Sequence, residues 1–411
     1  MPTISVVIPT RDRPLFVREA LKSLAAQEFT DFEAIVADNP ETTPCEEVVK
    51  EFGDERFRYQ RAERPLAMHD NWEAGCAAAS GEYVGLMNDK IVWLPSTMSH
   101  ALALLERASV EVVSWWCSSF EPRDEASAVT SGDYYPYDHP SSGPAIRSSR
   151  SELTAAMAFD AHRGLGPGYF RGNICSGLYR QDVMNGIRDR LGRVFPPISP
   201  DHTSRVGALM TVPRFVDAGV PLQIACTTAN STLRAAEQDP QYSERLLRNF
   251  DPELIDRLPN PGLWSSLHNI IAHDYLIAEQ LGGPRLNRWN LVARARDDLS
   301  DIDAWPSGRV RRQQYRLLRA AERRPGQSVA AIQADRVGKE LRRLLAAIRD
   351  APAPRHLLHR MLLRVPGLSR RLRARAAAQL PPPETLAGAI SAAEAELAER
   401  GHGRAEPEPQ V

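Results

Sequence analysis

The stretch ISVVIPTRDRPLFVREALKSLAAQEFTDFEAIVADN, residues 4–39, decides the fold. Ile4-Ser5-Val6-Val7-Ile8 is a short β-branched run ending at Pro9-Thr10, the pattern of a buried parallel strand. Pro14 suits a first helical turn, and Leu15, Val17, Ala20, Leu21 and Leu24 recur at spacings that build one apolar face. Phe32 to Ala37 reads as the next strand and ends in Asp38-Asn39. The product is a strand, helix, strand unit whose polar groups collect at the strand ends, where open α/β sheets bind their ligands.

The same grammar continues downstream. Asp70, with Glu73 three places on, predicts a capping box that opens a helix through about Ala79. Glu82 to Met87 is the strand that follows, and it delivers Asn88-Asp89-Lys90 to the same edge as Asp38. Leu94-Pro95-Ser96 then starts another helix.

In this order and at this spacing, SVVIPTRDRP, DFEAIVADNP and SGEYVGLMNDKIVWLP resemble the nucleotide-binding half of family 2 glycosyltransferases, inverting enzymes that use nucleotide sugars. The resemblance covers residues 3 to 98 and implies an α/β fold of the GT-A kind, a Rossmann-like mixed sheet flanked by helices. It places Pro9 and Thr10, with Arg11 beside them, where the first strand's loop lines the nucleoside of a nucleoside-diphosphate sugar. Asp38 falls on the carboxylate that hydrogen-bonds the nucleobase, although Asn39-Pro40 departs from the family's usual Asp-Gly or Asp-Asp and leaves the base open.

The family's Asp-any-Asp motif lands on Asn88, Asp89 and Lys90, whether counted forward from Tyr83 or backward from Pro95. In the usual motif the last carboxylate helps hold Mg²⁺ or Mn²⁺ against the diphosphate, offsetting charge on the leaving group. A protonated lysine ligates no cation, but an ammonium about 4 Å from a phosphate oxygen gains roughly 4 kcal/mol at an effective dielectric of about 20. The chain has four lysines, Lys22, Lys50, Lys90 and Lys339, among 51 basic residues, so a lysine here is unlike compositional drift. Two readings stand: no divalent cation is required and Lys90 neutralises the diphosphate, or Asp89 binds the metal and Lys90 faces solvent.

An inverting transfer also needs a general base for the acceptor hydroxyl. Asp201 is the candidate, preceded by Phe195-Pro196-Pro197-Ile198-Ser199-Pro200 and followed by a predicted helix over 204–210 and by Val220 to Ile224. This resembles the family's Glu-Asp motif, with Pro200 in place of the glutamate. Asp201 or Thr203 also suits a helix N-cap, and His202 is the nearest substitute base and a further substrate-binding candidate. Gly172 to Tyr179 is either an acceptor-cleft lining or a plain strand-to-helix turn. Asn71-Trp72 reads either as an Asn approaching the donor from a helix start or as a packing pair. Trp115-Trp116 fit a strand and cleft wall better than a sugar platform.

The 411 residues exceed one typical domain, and a formal charge of -1 supplies no field for nucleic acid. Five scattered cysteines favour reduced thiols, and neither a signal peptide nor a bilayer-length apolar run is visible, so a cytoplasmic protein is expected. The expected catalytic domain is 1–235, with a nucleotide-binding half 1–98 and an acceptor half 99–235 in which the polar stretch 123–170 forms a lid or acceptor segment.

Helical periodicity at Leu263, Leu267, Ile270, Ile271 and Tyr275, and at Leu341, Leu344, Leu345 and Ile348, predicts a helical extension over 236–350, packed on the catalytic domain or on a second subunit of a homo-oligomer. Residues 351–400 read as a basic amphipathic helical segment, without an acidic residue from Ala351 to Pro383. Such a segment suits either an anionic membrane surface, which would bring the enzyme to a lipid-linked or saccharide acceptor in surface-polysaccharide assembly, or a solvated face. The tail 401–411 is expected to be disordered. A nucleotidyltransferase and a catalytically inactive sugar-nucleotide-binding module are the competing classes.

Overall fold

The computed structural model describes residues 1–123, 131–137, 143–159, 167–227, 240–300, 302, 305–323 and 385–402. Strand β1 (Ile4–Thr10) is followed by α1 (Pro14–Ala25), β2 (Phe32–Asp38), α2 (Glu46–Phe52), β3 (Phe57–Arg61), α3 (Met68–Ala77) and β4 (Tyr83–Leu86). After these come β5 (Ile91–Trp93), α4 (Thr97–Ala108), β6 (Val112–Pro122), β7 (Gly132–Tyr135), β8 (Ala145–Ser148), α5 (Ser149–Met157) and α6 (Pro167–Phe170). Then β9 (Gly177–Arg180), α7 (Gln181–Leu191), α8 (Pro200–Thr211) and β10 (Arg214–Cys226) complete the α/β part.

Among the described residues the strands form one sheet in the order β3-β2-β1-β4-β9-β6-β10-β5, with β7 on β6 and β8 on β10. The first four are parallel, as the strand, helix, strand reading requires. Strand β9 runs antiparallel to both β4 and β6 and so joins the parallel half to a mixed half. Both faces are covered, which is why the strands read as continuous apolar runs. Ile4, Val6 and Ile8 of β1 pack with Val17, Leu21 and Leu24 of α1 and with Leu104 and Leu105 of α4. Val7, on the opposite face, packs with Trp72 of α3, Ile187 of α7 and Leu209 of α8. Gly75 lets α3 lie close on the sheet, since a Cβ there would come within 2.7 Å of Val7 and 2.8 Å of Ala37.

The structure corrects several local expectations. Leu15 is 47% exposed, because it falls about half a turn away from the buried Val17, Ala20, Leu21, Leu24 stripe. The capping box does not form: α3 starts after Ala67 with no side-chain cap, Asp70 lies in its first turn beside Arg193 at 2.7 Å, and Glu73 turns to another loop. Helix α8 begins at Pro200, four residues earlier than expected, because proline suits a first turn and has no N–H to leave unpaired. The expected lid segment contributes β7 and β8 to the sheet; its residues 124–130, 138–142 and 160–166 lie outside the described residues.

Helices Pro240–Phe250, Leu254–Arg257, Leu267–Gln280, Arg288–Ser300 and Gly308–Glu322 follow β10, in accord with the helical reading of this region. The Leu341 to Ile348 pattern and the basic stretch 351–383 lie outside the described residues. The helix Leu386–His402 buries Leu386, Ala389 and Ala393 against Val92, Phe120 and Ile224 of the sheet, and Glu394 accepts hydrogen bonds from Ser96 N and Oγ at 2.9 Å each. That helix therefore belongs to the α/β part, and it runs two residues into the stretch 401–411. No helix among the described residues is long and apolar enough to cross a membrane, and all five cysteines are free thiols.

At the N-terminal edge of the parallel half, Glu33 gathers Ser5 Oγ at 2.7 Å, Ser80 N at 2.8 Å, Ser80 Oγ at 2.7 Å and Arg58. Burial by itself would raise this carboxyl, but these hydrogen bonds outweigh it and bring it down to about 2. A lowered folded-state value stabilises above the unfolded value near 4.5, and that contribution disappears as pH falls from 4.5 towards about 2. Acid titration of unfolding midpoints should therefore show a steeper loss of stability over that range in the wild type than in Glu33→Gln; parallel curves would contradict it.

Candidate active site

The site is built where β1, β2 and β4 end. Thr10 pairs in register with Asp38, and Met87 N donates to Val7 O at 2.8 Å, so the chain beyond β4 passes beside the end of β1. Thr10 Oγ1 donates to Asp89 Oδ2 at 2.9 Å, and Arg13 reaches Asp89 Oδ1 at 3.3 Å. Asp89 is 2% exposed and Lys90 9%. Burial pushes the Asp89 carboxyl up, while Arg13, Thr10 and Lys90 pull it down. Lys90 thus sits inside the protein next to this carboxylate, contrary to the reading in which it faces solvent. Asn88 adds a long contact from its Oδ1 to Lys90 N at 3.4 Å.

These side chains suit a divalent cation poorly. Lys90 supplies charge of the wrong sign, and the one carboxylate of the trio has Thr10 on one oxygen and Arg13 on the other. Among the described residues no group of three or more His, Cys, Asp or Glu side chains is placed to hold an ion.

Asp38 is fully buried at the end of β2. Its Oδ2 accepts Cys45 N at 2.7 Å and Tyr59 Oη at 3.0 Å, while Oδ1 is buried without a hydrogen-bond partner among the described residues. Burial raises this carboxyl, against the pull of those two donors. Beside it, Asn39 exchanges two hydrogen bonds with Leu66, at 2.8 and 3.0 Å. Arg11 donates to Leu66 O at 2.7 Å and pairs with Glu41 at 2.9 Å, so it ties Leu66 to the loop after β2. Pro9 lies buried within β1. Asn71 is also a clamp, since its Nδ2 donates to Ala37 O at 2.9 Å, while Trp72 meets Phe195 edge to face at 5.6 Å. Trp72 packs between helix and sheet, as one of the two readings of this pair expects.

Sequence reasoning missed Asp12, which adopts a left-handed conformation at φ 55° and accepts the N–H groups of Glu41, Thr42 and Thr43 at 3.1, 2.8 and 2.7 Å. Those donors outweigh the upward push of burial and lower its carboxyl. An Asp in the left-handed region marks a turn that its side chain organises. Here the turn shapes the loop between Asp38 and Cys45.

Asp201 lies in the first turn of α8 and is not its N-cap; that position is Ser199, which makes no side-chain capping bond. Thr203 is no cap either, as its hydroxyl donates to Pro196 O at 2.9 Å. Tyr169 Oη donates to Asp201 Oδ2 at 2.7 Å, and His202 Nε2 lies 4.0 Å from the same oxygen. Burial, then the Asp201 charge, holds the Tyr169 hydroxyl well above its ordinary value, so it remains a donor to the carboxylate. Asn173 to Ser176 precede β9 as a short turn of tight helix. Gln223 of β10 accepts Trp115 Nε1 at 3.0 Å and donates to Cys175 O and Ser176 Oγ at 3.1 and 2.8 Å, which fixes that turn to the sheet. Trp115 and Trp116 are buried strand residues, as expected.

The loop that leads into α8 is held from two sides. Glu73 of α3 accepts Val194 N and Phe195 N at 3.0 and 3.1 Å. Asp274, fully buried in the helix Leu267–Gln280, accepts Ile198 N and Ser199 N at 2.9 and 3.0 Å. The same helix supplies Tyr275, whose hydroxyl meets Arg205 of α8. Removing the carboxylate leaves two amides unpaired, at about 1–3 kcal/mol for each buried group. Asp274→Ala should therefore lower the thermal midpoint and weaken the positioning of Asp201. Retention of both wild-type stability and wild-type turnover would show that the loop holds its shape without this helix.

Residues 5–141 match the family model described as Glycosyl transferase family 2. The GalNAc(5)-diNAcBac-PP-undecaprenol beta-1,3-glucosyltransferase of Campylobacter jejuni is 30% identical over 112 residues, 26% of this chain and 35% of that protein. An uncharacterized glycosyltransferase of Methanocaldococcus jannaschii, MJ1057, is 28% identical over 109 residues, 26% of this chain and 38% of that protein. The chain thus matches little more than a third of the length of either relative. Among solved structures, S. aureus TarS 1-349 in complex with UDP-GlcNAc is 15% identical with a TM-score of 0.45, covering 73% of this chain and 81% of that one. The mannosyltransferase PcManGT from Pyrobaculum calidifontis, in complex with GDP-Man and Mn²⁺, is 15% identical with a TM-score of 0.38, covering 78% and 86%. The strand-end cluster of Thr10, Asp38 and Asp89 falls inside residues 5–141, the stretch that matches the model of Glycosyl transferase family 2.

Proposed function

We propose that this protein transfers a sugar from a nucleoside-diphosphate sugar to an acceptor hydroxyl with inversion at the anomeric carbon. The observation that carries this reading is the gathering of Thr10, Asp38, Asp89 and Lys90 at one sheet edge, in a chain whose other half presents Asp201 on an immobilised helix start. Asp38 offers a buried, unpartnered acceptor oxygen for an N–H of the nucleobase. The acceptor oxygen attacks the anomeric carbon from the face opposite the diphosphate, and Asp201 takes the hydroxyl proton. The carbon–oxygen bond to the diphosphate breaks and the diphosphate leaves with the electron pair. Tyr169 orients the base by donating to its Oδ2.

Lys90 counters the charge on the departing diphosphate in place of a divalent cation. Arg13 and Thr10 both hold the carboxylate of Asp89, the buried neighbour of the buried Lys90. The acceptor is a saccharide or a lipid-linked saccharide of bacterial surface-polysaccharide or glycoconjugate assembly, reached from the cytoplasm with peripheral contact at the membrane. The C. jejuni relative, by its name, acts on an undecaprenol-linked glycan, which supports this setting.

Release of nucleoside diphosphate from a panel of sugar nucleotides, with EDTA or with Mn²⁺, tests the assignment of Lys90. Turnover should survive EDTA in the wild type and be lost in Lys90→Ala; turnover that needs Mn²⁺ would return the role to a metal at Asp89. With an acceptor in hand, Asp201→Asn should lower kcat by roughly 100- to 10,000-fold while donor binding persists, the range expected for loss of a general base. Binding of sugar nucleotides with no transfer or hydrolysis by the wild type would instead identify an inactive binding module.

A further inference from the structure

A cavity of about 460 Å³ opens between the start of α3, the loop ahead of Asp201 and the helices Pro240–Phe250 and Leu267–Gln280. Its size is that of a small-molecule site. His69, Pro197, Phe250, His273, Leu276 and Gln280 contribute to its wall, so most of it is built by residues beyond the stretch that matches the family. We propose that this cavity is an acceptor subsite, which binds a neutral sugar unit two or three units back from the hydroxyl that receives the new sugar.

Position argues for it first. Pro197 stands four residues before Asp201, and four residues reach at most about 14 Å, a span that a short oligosaccharide bridges. The loop between them does not drift, because Asp274 holds the amides of Ile198 and Ser199. Cavity wall and base therefore keep a constant separation, as a subsite requires.

The chemistry of the wall selects the ligand. The Phe250 ring, 5.4 Å from that of His69, gives a flat apolar surface for the C–H face of a pyranose. Asp251 and Arg257 on the same wall pair with each other, which leaves no net charge to attract an anion or a cation. Gln280 is exposed at this wall and supplies an amide suited to hydroxyls. The rings of His69 and His273 line the wall beside it, with His69 Nε2 3.4 Å from Asp70 Oδ1 and His273 Nδ1 3.5 Å from Asp274 Oδ1. Burial lowers the His69 value, which keeps this ring neutral near pH 7. Leu254, Leu276 and Ile277 add apolar surface beside Phe250, so the wall combines apolar patches with polar planar groups, as the two kinds of face on a pyranose require.

This subsite presupposes the transferase reading above, so its test separates the two. Mono- to pentasaccharides of glucose, galactose, mannose and N-acetylglucosamine are titrated into the full chain without donor, and the imidazole resonances of His69 and His273 are followed by NMR. Oligosaccharides of at least one series should shift both rings, with affinity reduced at least tenfold in Phe250→Ala and in the surface variant Gln280→Ala, whose fold is not in question. In steady-state transfer the same variants should raise KM for the longer acceptors, leaving the monosaccharide KM and donor hydrolysis unchanged. No ring shift with any series, or variants that treat every acceptor length as the wild type does, overturns the subsite. Ring shifts without turnover of any sugar nucleotide uphold a saccharide site and defeat the transferase reading alone.

Discussion

The backbone between Val194 and Ser199 belongs to neither helix nor sheet, and its N–H groups need acceptors that the local chain does not provide. Two carboxylates supply them: Glu73 from the nucleotide-binding half and Asp274 from the helical extension. Through this loop three separate stretches of chain meet just ahead of Asp201. An unpaired buried amide is expensive, so the arrangement has few cheap alternatives, and the place of the candidate base follows from it.

The donor side uses the same device at smaller scale. Asp12 collects three consecutive amides and shapes the loop after Asp38, while Asn39 and Arg11 tie that loop to Leu66. Polar side chains at the sheet edge thus divide into two groups. Arg11, Asp12, Asn39 and Asn71 are spent on backbone, whereas Asp38 retains a free oxygen and Lys90 is held buried beside Asp89. Lys90 next to a buried carboxylate is a charge held in a water-poor setting, where charge interactions are stronger than at the surface.

The helices after β10 are structural partners of the acceptor half. Helix Leu267–Gln280 packs Ala272 and Tyr275 into the core that also contains Val206 and Leu209 of α8. Helix Leu386–His402, distant in sequence, closes the opposite end of the sheet beside β5 and β10. The packed unit is therefore larger than the stretch that matches the family, and the cavity beside Pro197 exists because of that enlargement.

Periodicity in residues 4–39 determined β1, α1 and β2, since strands buried on both faces and a Pro-started amphipathic helix leave clear spacings, whereas β3, with only Phe57 buried, left none. The strand-end location of Thr10, Asp38 and Asn88 to Lys90 followed from the same pattern, as each lies directly after a strand of known direction. Tertiary structure decided the rest. Glu73 read as a helix cap because local spacing favours that bond, but a buried loop 121 residues away offers two unpaired amides and wins. Asp201 read as a possible cap because the helix was expected to start at 204, whereas Pro200, like Pro14, already occupies a first turn. Lys90 read equally as buried or exposed, for burial of a lysine depends on what folds over it and not on its neighbours in sequence. Asp274 and Tyr169 carried no local signal at all, because their partners, the amides of Ile198 and Ser199 and the Asp201 carboxylate, are brought to them by the fold.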